Sequence, residues 1–169
     1  MPNARPPSAI PAFDCIVALG SNMGDKAANI DSAIERLTER GDVQLVARSR
    51  NYATEPWGKT DQDWFVNAAI AVRTKLSPRT LLGRCKEIEQ QMGRVATEKW
   101  GPRVIDLDLL VYNGVTMADD DLVLPHPHIG ARAFVLAPLM DIAPELVIGD
   151  RSVRAMYEAI DKTSVRPIG

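Results

Sequence analysis

Asp106 and Asp108 are the residues of this chain best placed by type and spacing to do chemistry. They sit in the run Val104-Ile105-Asp106-Leu107-Asp108-Leu109-Leu110-Val111-Tyr112, which is otherwise apolar and contains neither Gly nor Pro. Such a run reads as a β-strand. Side chains alternate faces along a strand, so Ile105, Leu107, Leu109 and Val111 fall on one face and Val104, Asp106, Asp108, Leu110 and Tyr112 on the other. Two carboxylates at this spacing stand roughly 7 Å apart at the backbone. Their oxygens can converge on a pair of hard cations about 4 Å apart. Arg103 lies just ahead of the strand. Carboxylates for metal and a guanidinium for phosphate oxygens together suit a magnesium–polyphosphate substrate. A bare Asp-x-Asp pair is often only a solvated strand face. Here the aspartates interrupt an apolar strand, where unpaired charge is costly to bury, and a loop carrying Arg94, Trp100 and Arg103 leads into them.

The elements that must position this strand can be read along the chain. Cys15 to Leu19 is a short apolar run that ends in Gly20-Ser21-Asn22, a strand followed by a turn. Ala27, Ile30, Ile34 and Leu37 recur at helical spacing over residues 25–40, with Gly41 as the stop. Residues 43–52 alternate loosely and read as a second strand. Residues 53–64 hold Pro56 and Gly58 and form a long loop, a class that is usually functional or mobile. Residues 65–74 read as a third strand. Ser77-Pro78 supplies an N-cap and a proline at the first helical position. Leu81, Cys85, Ile88 and Met92 make one apolar helical stripe, which Gly93 ends. Residues 94–103 are a loop, and residues 132–142 and 153–162 read as further helices.

The order βαββαβ, followed by additional C-terminal helices, suggests an α+β ferredoxin-like sandwich. Its antiparallel sheet would carry two helices on one face and leave the other free to build a site. That architecture hosts many functions and predicts none by itself. Residues 1–12 are rich in Pro and polar residues and read as a disordered lead-in; the tail 165–169 looks similar. Residues 13–164 are then expected to form a single domain.

At 169 residues the chain can bury a sizeable core. Its net charge of −2 argues against nucleic acid or an anionic membrane surface as the main partner, while a small anionic ligand in a local basic cluster stays compatible. No apolar run is long enough to span a bilayer, and no signal-peptide core is evident. Cys15 and Cys85 lie in apolar patterns without the close pairing of zinc or redox motifs. Buried free thiols in a reducing cytoplasm are the expectation, together with a monomeric state. His126-Pro127-His128 raises the question of a metal site, but Pro127 keeps the segment extended and no third nitrogen or sulfur ligand is apparent.

Further features need a common explanation. These are Ala18-Leu19-Gly20-Ser21-Asn22 with Gly24, Thr54-Glu55-Pro56-Trp57-Gly58, Asn67-Ala68-Ala69, Gly93-Arg94, the run Trp100 to Leu110, Pro125-His126-Pro127, Arg132-Ala133-Phe134 and Pro138-Leu139. In this order and spacing the chain resembles the 6-hydroxymethyl-7,8-dihydropterin pyrophosphokinases of folate synthesis. The resemblance runs from about Ile16 to Leu146. It implies transfer of the β,γ-pyrophosphoryl group of ATP, the co-substrate, to the hydroxymethyl oxygen of 6-hydroxymethyl-7,8-dihydropterin, with AMP released. It implies two Mg²⁺ ions on Asp106 and Asp108, catalytic assistance from Arg94 and Arg103, and closure of the loop bearing Trp100 over ATP. Glu89, Arg94, Trp100, Arg103, Leu109, His126 and Arg132 match ATP-binding positions. Thr54, Pro56, Trp57, Phe65, Asn67, Trp100 and Phe134 match the pterin pocket, with Phe65 and Phe134 as the pair that sandwiches the ring.

The general chemistry agrees. Phosphoryl-type transfer needs mainly positioning and charge neutralisation, and an amide such as Asn67 offers both donor and acceptor to a pterin edge. Taken singly, Phe65 and Phe134 would be core, Asn67 an edge or bulge residue, and Arg94 a helix cap. The joint pattern overturns those readings. Where some family members carry a second arginine two residues after the match to Arg94, this chain has Ala96, and the loop is about one residue shorter; Lys99 can supply positive charge there. No general base stands out, leaving Asp108 or solvent to take the proton. Another Mg²⁺-dependent nucleotidyl- or phosphotransferase on the same fold, or a non-catalytic module, are the competing expectations.

Overall fold

The computed structural model of the chain describes residues 12–54, 64–93 and 104–168. The elements run β1 (Cys15–Ser21), α1 (Lys26–Thr38), β2 (Val43–Arg48), β3 (Asn51–Thr54), β4 (Phe65–Thr74), α2 (Pro78–Gln91), β5 (Asp106–Tyr112), β6 (Met117–Ala118) and β7 (Val123–Leu124). After a 3-10 turn at Ile129–Ala131 come α3 (Ala133–Ile142), β8 (Val147–Ile148), β9 (Arg151–Ser152), α4 (Val153–Ala159) and β10 (Val165–Ile168). The main sheet is antiparallel in the order β10-β3-β4-β1-β5, with β2 also paired to β4. This is the ferredoxin-like arrangement that the element order suggests, with extra C-terminal elements.

Local chemistry explains the helices. Asp25 caps α1 by accepting from the Ala28 N–H at 3.1 Å, and Ser77 caps α2 by accepting from the Thr80 N–H at 3.2 Å, with Pro78 next. α1 buries Ile30, Ala33, Ile34 and Leu37; α2 buries Leu81, Cys85 and Ile88. Both pack on the sheet face built by Cys15, Val17 and Leu19 of β1, Val66, Ala68, Ile70 and Val72 of β4, and Leu107 and Leu109 of β5. On the opposite face, Ile16, Ala69, Ala71, Leu110 and Val111 meet Val135, Leu136, Leu139 and Ile142 of α3 and Val153 and Met156 of α4. That face is therefore not free, as the sequence suggested. α3 and α4 cover much of it, and what remains open is a cleft.

Three other expectations change. The strand expected over residues 43–52 is two strands. Ser49 N–H donates to the Ala69 carbonyl at 2.9 Å, while Ala69 N–H donates to Ser49 Oγ at 2.8 Å, so a side chain takes over one rung of the ladder between β2 and β3. Strict alternation along β5 fails at Leu110. Ile16 pairs with Val111 but Val17 pairs with Leu109, so Leu110 is an extra, bulged residue. Leu110 and Val111 consequently both join the α3 side, and Tyr112 returns to the α1–α2 side. Finally, the tail is a strand. Val165 to Ile168 pair with Thr54 to Asn51 at the sheet edge, where Pro167 is tolerated, and the Arg166 guanidinium lies 4.9 Å from the Trp64 ring centre. The folded unit thus runs past residue 164 to Ile168. The lead-in falls almost wholly outside the described residues. None of the described helices is long and apolar enough to cross a membrane.

Candidate active site

The cleft lies on the α3 side of the sheet and encloses about 950 Å³, including its open mouth. Its floor follows from strand pairing. Gly20 is the partner of Asn67 on one side and of Asp106 on the other; Ala18 likewise sits between Ala69 and Asp108. An acidic end on β5 is thereby joined to an amide and aromatic end on β4, where Phe65 also lines the cleft. Only small side chains lie between. A Cβ on Gly20 would stand 2.7 Å from Asn67 Oδ1, so glycine is needed there for close approach rather than for an unusual backbone angle.

At the amide end, Asn67 Nδ2 donates to Thr54 Oγ1 at 2.7 Å. This fixes the amide and leaves its oxygen and its second N–H hydrogen for a ligand. Phe65 stands on the strand, and Phe134 faces the cleft from α3 together with Val135 and Pro138.

At the acidic end, Asp108 and Asp106 are both partly buried on the cleft face. Burial first, then the negative charges of Asp106 and Glu89, push the Asp108 carboxyl up to about 7. An acidic pair held at this cost is a donor set suited to a hard cation. Among the described residues no group of three His, Cys, Asp or Glu converges on a metal position. Mg²⁺ in phosphate-handling sites is commonly held by one or two carboxylates plus substrate phosphates, and the pair fits that pattern.

Two cationic or N–H-bearing groups flank the pair. Arg132 occupies the N-cap position of α3, and its guanidinium lies 5.6 Å from the Phe134 ring centre. Burial lowers its pKa, opposed by Asp108 and Asp106, and a guanidinium stays charged throughout. His126 is held by its backbone N–H, which donates at 2.8 Å to the carbonyl of the bulged Leu110. Its Nδ1 accepts from the His128 N–H at 3.2 Å. Burial, then Arg132 and His128, lower its pKa to about 4. At neutral pH the ring is therefore uncharged, with its proton on Nε2, and acts as a donor rather than a cation.

The structure thus gathers Thr54, Phe65, Asn67, Asp106, Asp108, His126, Arg132 and Phe134 around one cleft. Two expected nucleotide contacts lie elsewhere. Leu109 is buried among the α1–α2 core residues, because alternation turns it away from Asp108. Glu89, 2% exposed, lies beneath the strand: its Oε2 accepts from the Leu107 N–H at 2.8 Å, and Lys86 Nζ is 3.8 Å from its Oε1. It supports β5 between the two aspartates. Pro56, Trp57, Arg94, Trp100 and Arg103 lie outside the described residues. Sequence reasoning missed Ala18, Leu19, Gly20, Ala68, Ala69, Leu110, Val135 and Pro138 as cleft-lining residues. Strand alternation carried a signal for Ala18, Gly20 and Ala69; nothing local marked the rest.

The model of the 7,8-dihydro-6-hydroxymethylpterin-pyrophosphokinase (HPPK) family matches residues 16–144. A 2-amino-4-hydroxy-6-hydroxymethyldihydropteridine pyrophosphokinase of Methylorubrum extorquens is 50% identical over 152 residues, covering 90% of this chain and 96% of that protein. The enzyme of the same name from Pseudomonas aeruginosa is 42% identical over 134 residues, covering 79% and 83%. Among solved structures, a crystal structure of an HPPK-DHPS in complex with substrates matches with a TM-score of 0.72 at 16% identity. It covers 92% of this chain, which spans 47% of that longer one, and it speaks for the fold alone. With the family model spanning most of its length and relatives this similar, the chain belongs to the 7,8-dihydro-6-hydroxymethylpterin-pyrophosphokinase family.

Proposed function

We propose that this chain transfers the β,γ-pyrophosphoryl group of ATP to the hydroxymethyl oxygen of 6-hydroxymethyl-7,8-dihydropterin, giving AMP and the pterin pyrophosphate on the route to tetrahydrofolate. The observation that carries this reading is the continuity of one sheet face. The row Asp106–Gly20–Asn67 connects a cation-binding end to an amide and aromatic end with no bulky side chain between them. A flat heterocycle and a polyphosphate can lie end to end along it.

Phe65 and Phe134 sandwich the pterin ring. Asn67, oriented by Thr54, reads its edge. Arg132 and neutral His126 bind phosphate oxygens, one as a charge and one as an N–H donor. Asp106 and Asp108 would hold two Mg²⁺ ions, whose chemistry there would be charge neutralisation at the phosphates and acidification of the attacking hydroxyl. Arg94 and Arg103, at family positions that assist catalysis, add positive charge toward ATP, and Trp100 adds an apolar ring that helps exclude water. Attack at the β-phosphorus forms the bond from the hydroxymethyl oxygen and breaks the bond to the bridging oxygen that leaves with AMP. The hydroxyl proton passes to Asp108 or to solvent. We place the enzyme, as a single domain over residues 13–164 plus the edge strand β10, in the reducing cytoplasm as a monomer. The buried free thiols of Cys15 and Cys85 suit that compartment.

The test is AMP release from ATP with Mg²⁺ and the pterin, beside an Asp106→Ala control. Pterin-dependent AMP that the control abolishes is the expected result. Pyrophosphate release would instead favour a nucleotidyltransferase on the same site.

A further inference from the structure

The wall of the cleft that carries Phe134 is held at its far end by a polar tether. Phe134, Pro138 and Asp141 are at i, i+4 and i+7 of α3, so they share one helix face. Phe134 and Pro138 line the cleft. Asp141 reaches across to the strands. Both of its carboxylate oxygens lie 2.9 Å from Tyr52 Oη. Its Oδ2 accepts from the Arg50 backbone N–H at 2.9 Å and from Arg50 Nε at 3.3 Å, and its Oδ1 accepts from Arg50 Nη2 at 3.2 Å. Arg50 Nη2 also donates to Tyr52 Oη at 2.9 Å. The Asp141 side chain is 18% exposed, and Tyr52 is buried. Burial and Asp141 push the Tyr52 hydroxyl up to about 12, so it remains a donor at neutral pH.

Tyr52 is also the cross-strand partner of Asn67. Two residues on, Thr54 pairs with Phe65 and accepts the Asn67 amide. One end of the tether is therefore the helix that carries Phe134, and the other is the strand pair that carries Phe65 and Asn67. Among the described residues, Val135, Leu136, Leu139 and Ile142 of α3 meet the sheet by apolar packing. Such packing is non-directional and tolerates sliding, whereas this many charge-assisted hydrogen bonds fix a spacing. Stacking on both ring faces weakens by about a quarter to a half with an extra gap of about 0.5–1 Å.

We propose that Arg50, Tyr52 and Asp141 are positioning residues that set the width of the slot between Phe65 and Phe134, and with it the selectivity for a flat bicyclic heterocycle. This rests on the reading of that slot as the pterin site. The experiment compares Tyr52→Phe and Asp141→Asn with the unaltered full-length chain, reading pterin binding by fluorescence, binding of a non-hydrolysable ATP analogue, and the separate KM values. The expected result is a rise of about tenfold in the Kd and KM for the pterin, with ATP-analogue binding changed by less than about twofold. Asp42→Asn, which breaks the ion pair with Arg84 on the other side of the sheet, serves as a control and leaves both ligands unaffected. Tyr52→Phe removes a single hydroxyl and keeps Asp141 bound to Arg50, so it reports even if Asp141→Asn fails to fold. Unchanged pterin affinity, or equal losses for both ligands, would overturn the tether. Absence of pterin binding by the unaltered chain would overturn the functional reading itself.

Discussion

The two faces of the central sheet are built from the same strands and have opposite compositions. On the α1–α2 side, β1, β4 and β5 present Val17, Leu19, Ile70, Val72, Leu107 and Leu109, all buried. On the cleft side the intervening positions are Ala18, Gly20, Asn67, Ala69, Asp106 and Asp108. Period-two alternation lets one backbone serve both purposes. Both faces carry apolar packing, but on the cleft side it is supplied by α3 and α4 beyond Ala18 and Gly20, which leaves that stretch of the sheet open for the acidic and amide groups. Glu89 links them: from the apolar side it holds the backbone N–H of Leu107, the residue between the two aspartates.

The comparison can be broken most severely at the acidic end. Asp106→Ala is expected to lower kcat by about 10³-fold or more, the scale set by removing a principal source of charge stabilisation. Steady-state AMP assays give the loss, and a melting curve verifies that the variant is folded. The mirror image is Ile70→Ala on the apolar face. Truncation there should cost about 2–5 kcal/mol in denaturant unfolding and leave kcat per folded molecule intact.

A pH series sharpens the contrast. The Asp108 carboxyl, ordinarily at 3.8, titrates at about 7 in the fold. A carboxyl raised in this way contributes stability that is fully present below its unfolded value and is lost as pH rises through about 7. The metal-free chain should lose stability over that window, and Asp108→Asn should remove the slope. Mg²⁺ competes with the same proton, so its affinity should fall by about tenfold per pH unit as pH drops below the folded pKa. Titration calorimetry across the window would refute this if the affinity stayed flat. A smaller effect is expected for Gly20→Ala. The new Cβ would meet Asn67 Oδ1 and displace the amide, raising the pterin KM about tenfold while leaving the KM for ATP nearly unchanged.

Much of this was legible in the residues because local signals and tertiary pairing agree. The Phe65–Thr74 strand, the Ser77–Pro78 cap and the shared face of Asp106 and Asp108 are all set by near neighbours in the chain. The rest depends on partners far away in sequence. Leu110 is bulged because of its register against Ile16 and Val17, and its carbonyl then anchors His126. Residues 165–168 contain a proline and no apolar alternation, yet the free edge of β3 makes them a strand. Leu109 and Glu89 were expected at the nucleotide, but strand alternation buries one and the packing of α2 beneath β5 explains the other. Pro138 and Val135 line the cleft only because α3 crosses the sheet where it does.

In the proposed reaction the cleft directs attack to the β-phosphorus of ATP. Phosphorus NMR of a reaction of the full chain with ATP, Mg²⁺ and 6-hydroxymethyl-7,8-dihydropterin tests it directly. AMP together with a diphosphate ester carried by the pterin, in equal amounts, is the expected result. Free pyrophosphate with an adenylylated pterin, or ADP with a pterin monophosphate, would contradict it.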